Sequence, residues 1–250
     1  MTTHLYCVLP NERRGDLPAD LRGIDGARVR SMQMDGLVAW VSDAERDVPV
    51  SIDGVRAHDA VVEAALETGA TPVPARFGQE FASDEACRGA LENYSDSVTS
   101  LLADVQGFVE MTLILTPSTR RMLRDLEPGL PAMIDPARPG AGLEYMESLR
   151  AREAAIGSVR RSLDSLAQSL TEATKAFVRR RAVHDQVTRL PLRTISHLVS
   201  RTDVAKYKQA AFEVSGTTEF RFLVIGPRAP YSFCALGNRD TGLHGMKLAD

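Results

Sequence analysis

The stretch Gly226-Pro227-Arg228-Ala229-Pro230-Tyr231-Ser232-Phe233 directly follows an apolar run at residues 220–225. That run predicts a β-strand, because Phe, Val and Ile favour a buried pleated surface. We expect Gly226 and Pro227 to end the strand, since proline has no amide hydrogen to donate to a ladder. The stretch offers no pattern of nucleophile, base or metal ligand. It therefore predicts a packing or docking feature that presents two aromatic rings on a stiff segment.

Composition indicates a globular protein. The 250 residues carry a net charge of −3 with 25% charged residues, a balance that argues against nucleic-acid binding. The three cysteines are far apart and form no CxxC, which predicts buried thiols in a reducing, cytoplasmic compartment. We expect no membrane span, because no apolar stretch approaches about 18 residues, and we find no secretory signal.

The N-terminal part, residues 1–117, alternates between strand and helix patterns. Asp35-Gly36 is a hairpin signal between two predicted strands. We predict strands at residues 3–9, 28–34, 37–42 and 108–116, and helices at 53–67 and 83–104. The first helix has a predicted buried stripe that includes Val55, Val62 and Leu66. These proportions predict a ferredoxin-like α/β sandwich, and hence an α+β fold class.

Prolines and glycines mark residues 118–141 as a linker, with a second α+β domain at residues 142–250. This domain is predicted to contain a long helix at 143–181, a strand at 188–199, a helix at 203–214 and the closing strand. The helix pattern shows a heptad seam of Ile156, Val159, Leu163, Leu166, Leu170, Ala173 and Phe177. The seam fits an internal core stripe or a coiled coil with a second chain. Arg179, Arg180 and Arg181 are predicted to occupy the last turns of this helix.

Catalytic and metal-binding patterns were not found. The five histidines have no metal-ligand spacing, and we predict no catalytic residue, cofactor or metal. His58 fits a core or helix-cap histidine, or less well a general base next to Asp59. Arg76 fits a forked hydrogen bond to a carboxylate or helix end, a partner contact, or an anion site. Tyr231 and Phe233 fit rings that cap the C-terminal domain, or an aromatic anchor for another protein.

Several blocks of the chain resemble the gas vesicle protein F/L (GvpF/GvpL) family. The final stretch is similar to the family's Gly-Pro-Trp-Pro-Pro-Tyr-Ser-Phe, although Arg228 and Ala229 depart from it. Val73-Pro74-Ala75-Arg76-Phe77-Gly78 is close to the family's Pro-x-Arg-Phe-Gly signature. Similar blocks occur in the family's order at residues 5–8, 36–42, 142–146 and 197–199.

The resemblance implies a two-domain α+β protein that is not an enzyme. It implies a minor structural or assembly component of the gas vesicle, which contacts the small hydrophobic shell protein and other accessory gas vesicle proteins. The residues predicted to contact partners are Arg76, Phe77, Arg228, Tyr231 and Phe233. Two alternatives remain at this level: a small-molecule-binding regulatory or enzymatic ferredoxin-like protein, and an oligomer held by the heptad seam.

Overall fold

The structure is a computed structural model and describes residues 1–13, 16–45, 50–121, 140–184, 192–214, 219–234 and 236. The chain forms two compact units. The first contains Met1–Glu110 and Pro227–Asp250, and the second contains Met111–Gly226. The stretch that begins at Pro227 thus belongs with the first unit, whereas the sequence pattern assigned it to the second domain. Most of the predicted linker lies outside the described residues.

The first unit contains a sheet with strand order β2-β3-β1-β4, and β5 pairs with β1. The strands are β1 (Thr2–Pro10), β2 (Arg30–Gln33), β3 (Leu37–Ala44), β4 (Val73–Pro74) and β5 (Glu80–Phe81). The hairpin prediction at Asp35-Gly36 is confirmed, because Gln33 pairs with Val38 across the turn. Gly36 adopts a φ of 70°, which glycine reaches without strain.

Helix α1 (Ile52–Glu67) covers the core of this sheet. Its cap is Ser51, whose hydroxyl accepts the Gly54 N–H at 3.0 Å. Val61, Val62 and Ala65 are buried in the core. The predicted buried stripe was wrong at Val55, which is 42% exposed. Helix α1 is oriented so that His58 faces the sheet, and Val55 lies at the surface.

The second predicted helix is two helices, α2 (Asp84–Asn93) and α3 (Ser95–Val105). The break occurs at Tyr94, whose φ of −116° and ψ of 18° leave the helical region. Both helices still bury the expected apolar positions, among them Cys87, Leu91, Val98 and Leu102. The amphipathic period continues through the break, so the sequence pattern did not reveal it.

The second unit contains a sheet with strand order β7-β8-β6-β9. Its elements are, in chain order, β6 (Phe108–Pro117), α4 (Ala141–Thr174), β7 (Val178–His184), β8 (Arg193–Ser200), α5 (Val204–Val214) and β9 (Phe220–Arg228). Strand, helix, two strands, helix and strand in this spatial order form the ferredoxin-like arrangement. The first unit has the same spatial order of strands, but short 3₁₀ segments stand between β1 and β2. The predicted α+β class with a long helix is confirmed, and the structure has two antiparallel sheets. The strand predicted at 108–116 as part of the N-terminal sandwich is β6, which lies in the second sheet.

The heptad seam packs inside the second unit. Val159, Leu163 and Leu170 are fully buried. They pack against Met111, Leu113 and Leu115 of β6, Ile195 and Val199 of β8, and Tyr207 and Ala211 of α5. The seam is therefore a core stripe of this chain. Ala173 is exposed and Thr174 is buried instead, because a straight helix drifts away from a strict heptad.

The prediction that the arginine run ends the long helix was wrong. Helix α4 ends at Thr174, a 3₁₀ turn follows at Lys175–Phe177, and Arg179, Arg180 and Arg181 lie in β7. β7 pairs antiparallel with β8, for example Val183 with Ile195. Pairing with the distant strand β8 stabilises this segment as a strand, although its local sequence also favours a helix.

The predicted end of the last strand was also wrong, because β9 continues through Gly226 and Pro227 to Arg228. A strand at the end of a sheet tolerates proline, since it lacks a partner on one side. β8 begins at Arg193, and the earlier part of the strand predicted at 188–199 lies largely outside the described residues. None of the described helices is long and apolar enough to cross a membrane.

We expect Leu163→Ala to lower the free energy of unfolding of the second unit by about 2–5 kcal/mol, because it leaves a cavity in a fully buried site. Urea denaturation followed by circular dichroism measures this. The control is Ser165→Ala, an exposed position on the same helix, which should change the value by less than about 0.5 kcal/mol. Equal stability of the two variants would contradict the assignment of the seam to the core.

Candidate protein-interaction site

Three segments that the sequence analysis singled out meet in the first unit. They are helix α1, the loop that contains Arg76 and Phe77, and the stretch from Arg228 to a short helix, α6 (Tyr231–Cys234). Ala229 is buried in the same apolar cluster as Val61 and Val62 of α1, and Phe77 and Tyr231 pack against that cluster. The structure thus brings together residues that lie far apart in the sequence.

Two buried histidines meet on the inner side of α1: His58 belongs to the helix and His4 to β1. His4 Nε2 and His58 Nδ1 are 2.9 Å apart, and His58 Nε2 is 3.0 Å from the carbonyl oxygen of Ala75. A carbonyl only accepts, so His58 donates from Nε2, and its Nδ1 accepts the His4 Nε2–H. Both rings are then neutral. Among the described residues, His4 Nδ1 has no hydrogen-bond partner.

Burial lowers the pKa of His4 to about 3, and the neighbouring His58 adds to the shift. Burial also lowers the pKa of His58, against the opposing effects of the Ala75 hydrogen bond and of Asp59. His58 is therefore a core histidine, as one of the predicted alternatives stated. Its partner His4 was missed, because 54 residues separate the two and no local pattern connects them.

Phe77 is half-buried against this pair. Its ring centroid lies 5.9 Å from that of His58 and 6.0 Å from that of His4. Gly54 in the first turn of α1 leaves room for it, because a Cβ there would lie 3.2 Å from Phe77 Cζ. Arg76 has an exposed side chain, and its backbone N–H donates to the Leu236 carbonyl at 3.1 Å. A backbone hydrogen bond to Leu236 thus holds the loop, and the side chain of Arg76 lies at the surface.

Arg228 binds two carboxylates one turn apart on α1. Its Nη2 donates to Asp59, and its Nε donates to Glu63 Oε1 at 3.3 Å. Burial alone would lower the pKa of Arg228, but the two carboxylates raise it above its usual value. Burial raises the pKa of Glu63, and Arg228 opposes that shift. An ion pair thus connects the C-terminal stretch to α1.

Tyr231 and Phe233 pack on the first unit, and the expectation that they cap the C-terminal domain was wrong. Phe233 is 8% exposed, and Tyr231 is half-buried, with its pKa raised by burial. Ser232 between them was not singled out from the sequence. Its N–H and hydroxyl donate to the Glu110 carboxylate at 2.8 and 2.7 Å, which compensates a largely buried acid.

The described residues contain no group of three or more His, Cys, Asp or Glu side chains that could hold a metal. His58 is engaged with His4 and Ala75, and Asp59 with Arg228. These groups are arranged to fix α1 and the Arg76 loop in place.

The His4–His58 pair should make the first unit less stable in acid. The folded pKa values lie below the unfolded value of 6.5, so the unfolded chain takes up protons first as the pH falls. Stability should be complete above about pH 6.5 and decline below it by at most about 1.4 kcal/mol per pH unit for each imidazole. Urea denaturation at several pH values, followed by the fluorescence of Trp40 in this core, measures the slope.

His4→Gln keeps an amide donor near the Nε2 position without a titrating ring, and it should reduce the slope. His184→Gln in β7 is the matched control, because it removes a histidine from the other unit. Slopes that are the same in the wild type and in His4→Gln would contradict the buried neutral pair.

Arg228→Ala should lower the free energy of unfolding of the first unit by about 1 kcal/mol, because two carboxylates lose their partner at a site 39% exposed. The loss should shrink at high salt. Trp40 fluorescence in urea titrations measures it. The control is Arg56→Ala on the same helix, whose pair with Asp53 is fully solvated and should contribute almost nothing. Equal effects of the two variants would contradict the role of Arg228.

Comparisons with known proteins agree with this architecture. Two solved structures, of the gas vesicle protein GvpF from Anabaena sp. PCC7120 and from Microcystis aeruginosa, each match with a TM-score of 0.70. Each match covers 93% of this chain and 98% of the solved chain at 20% sequence identity, which establishes the shared fold.

Sequence comparison identifies the family. Gas vesicle protein F1 of Halobacterium salinarum is 34% identical over 130 residues, a match that covers 50% of this chain and 61% of that protein. The family model described as "Gas vesicle synthesis protein GvpL/GvpF" matches residues 2–235. A match over nearly the whole chain, together with the shared two-sheet fold, means that this chain belongs to the GvpL/GvpF family of gas vesicle synthesis proteins.

Proposed function

We propose that this chain is a non-enzymatic assembly component that binds the small hydrophobic shell protein in the cytoplasm and supports gas vesicle formation. Membership of the GvpL/GvpF family carries the proposal. A small apolar shell protein aggregates as a free monomer unless its apolar face is covered. A larger folded protein that covers this face would keep it soluble until it joins the growing shell.

The start of α1, with Val50 just before its cap, supplies a surface suited to this role. Val50 is 84% exposed, Ile52 72% and Val55 42%, so three large apolar side chains face solvent within six residues. Phe77 packs on Gly54 in the same turn, and Arg76 next to it is exposed. We call Val50, Ile52, Val55, Arg76 and Phe77 the α1 surface. Exposed apolar patches of this kind commonly mark protein contacts.

The α1 surface includes two of the five predicted contact residues, Arg76 and Phe77. The other three support it in this proposal. Arg228 holds the carboxylates of α1, and Tyr231 packs on the core beneath the helix. Phe233 is too buried to touch a partner without rearrangement. The arrangement favours binding over chemistry, because His58 and its neighbour in sequence, Asp59, have separate structural partners.

Co-expression with the shell protein of the same vesicle type tests the proposal. The chain should keep the shell protein in the soluble fraction and copurify with it. The double variant Ile52→Asp, Val55→Asp should reduce the copurified amount about tenfold or more, because it places charges where apolar area would be buried. Aspartate is favourable in the first turn of a helix, so α1 should remain folded.

Leu143→Asp is the control, because Leu143 is 65% exposed on the other unit. It should copurify as much shell protein as the wild type. If the wild-type chain leaves the solubility of the shell protein unchanged and no complex is recovered, the proposed function is wrong. If both variants bind equally well, the function stands, and the α1 surface is not the contact.

A further inference from the structure

The loop that contains Arg76 and Phe77 is held to α1 by a chain of two hydrogen bonds. His4 Nε2–H donates to His58 Nδ1 at 2.9 Å, and His58 Nε2–H donates to the Ala75 carbonyl at 3.0 Å. Ala75 is fully buried, so losing this donor would leave its carbonyl unsatisfied away from water. The chain connects β1, α1 and the loop, and it has this form only while both rings are neutral.

One proton added to the pair leaves a buried donor without an acceptor. If His4 takes the proton, its Nδ1 becomes a donor. If His58 takes it, His4 Nε2 must turn into the acceptor, and the hydrogen of the His4 ring moves to Nδ1. Among the described residues, His4 Nδ1 has no hydrogen-bond partner. Both protonated forms of the closed chain therefore bury a positive charge together with an unsatisfied N–H.

The charged groups of α1 and of the loop do not remove this cost. Asp59 raises the pKa of His58, but burial outweighs this effect, and the Asp59 carboxylate is bound by Arg228. Arg76, on the loop, is a cation with an exposed side chain. A second positive charge on the histidine pair therefore gains little from either element.

The groups on the sheet side do not supply an acceptor either. Glu80 lies opposite His4 in the pairing of β1 with β5, and its carboxylate accepts the Thr2 hydroxyl at 3.2 Å. The ring centroid of Tyr6 is 4.8 Å from that of His4. Burial raises the pKa of this phenol, and Asp25 of the neighbouring 3₁₀ segment adds to the shift, so Tyr6 is neutral in acid.

The strand that leads into the loop is short. β4 contains two residues, Val73–Pro74, which pair with β1. The Ala75 N–H then donates to a β1 carbonyl at 2.7 Å, and the Arg76 N–H donates to the Leu236 carbonyl at 3.1 Å. A segment with such short pairing opens at a lower free energy than a long strand or a core helix. Loss of the His58 donor should therefore open the loop before the first unit unfolds.

We propose that the His4–His58 pair is an acid-sensitive switch that keeps the Arg76–Phe77 loop closed on α1. Acidification breaks the chain and opens the loop while the rest of the first unit stays folded. Phe77 then leaves its position between the histidine rings and Gly54. The inference goes beyond the proposed function, because it concerns this chain without a partner. Its consequence for the α1 surface is that Arg76 and Phe77 move together.

Hydrogen exchange of the Ala75 and Arg76 amides tests the switch, because both amides are hydrogen-bonded in the closed loop. After correction for the intrinsic exchange rate, their opening equilibrium should rise about tenfold or more between about pH 7.5 and pH 5. The reason is that both imidazoles titrate near pH 6.5 once the loop is open, and at lower pH while it is closed. Low concentrations of urea should hardly change this exchange, since a local opening exposes little surface.

His4→Gln should show a smaller rise, because one titrating ring is gone. His184→Gln, which removes a histidine of the other unit, should behave as the wild type does. An equal rise in His4→Gln and in the wild type would overturn the assignment to the pair. If His4→Gln does not fold, the wild-type measurement still decides.

The proposal is wrong if the opening equilibrium of the wild-type loop does not change with pH. It is also wrong if both amides exchange only through unfolding of the whole first unit. Their opening free energy would then equal that of unfolding, measured by Trp40 fluorescence at the same pH, and would fall with urea at the same slope. No shell protein is present in this experiment, so its outcome is independent of the proposed function.

Discussion

Helix α1 is held in the first unit by polar groups on two of its sides, and the positions of the candidate contact residues depend on this attachment. On the inner side, His58 joins His4 to the carbonyl of the Arg76 loop. On the outer side, Asp59 and Glu63 bind Arg228. The inner contacts bury two neutral rings, and their hydrogen bonds to each other and to Ala75 offset part of the cost of burial. The helix therefore carries its exposed first turn on a firmly placed support.

Several polar side chains of the first unit are held by structural partners. Glu110, a largely buried acid, accepts two hydrogen bonds from Ser232. His58 is hydrogen-bonded to His4 and to the Ala75 carbonyl, and Asp59 is paired with Arg228. In the second unit, the apolar seam of the long helix is buried in the core of that same unit. Among the described residues, the exposed large apolar side chains include Val50, Ile52 and Val55 at the start of α1.

The sequence predicted much of the fold where the signal was local. The Asp35-Gly36 hairpin and the apolar period of α4 each lie within a few residues of the feature they specify. Errors arose where a distant partner decided the outcome. The helical pattern ran past Thr174, but pairing with β8 turned the arginines into a strand. His58 was recognised as a core residue, whereas its partner on β1 could not be found without the fold.

The sequence by itself determined the α+β class, because turns and apolar periods are encoded in short patterns, and its motif blocks carried the resemblance to the family. Only the tertiary structure decided where those motifs go. It placed the C-terminal stretch on α1, where Arg228 meets Asp59 across 169 residues of chain, and it left β9 at the edge of its sheet. The reason is physical: local propensity acts over one or two turns, whereas burial and pairing depend on which distant segments pack together.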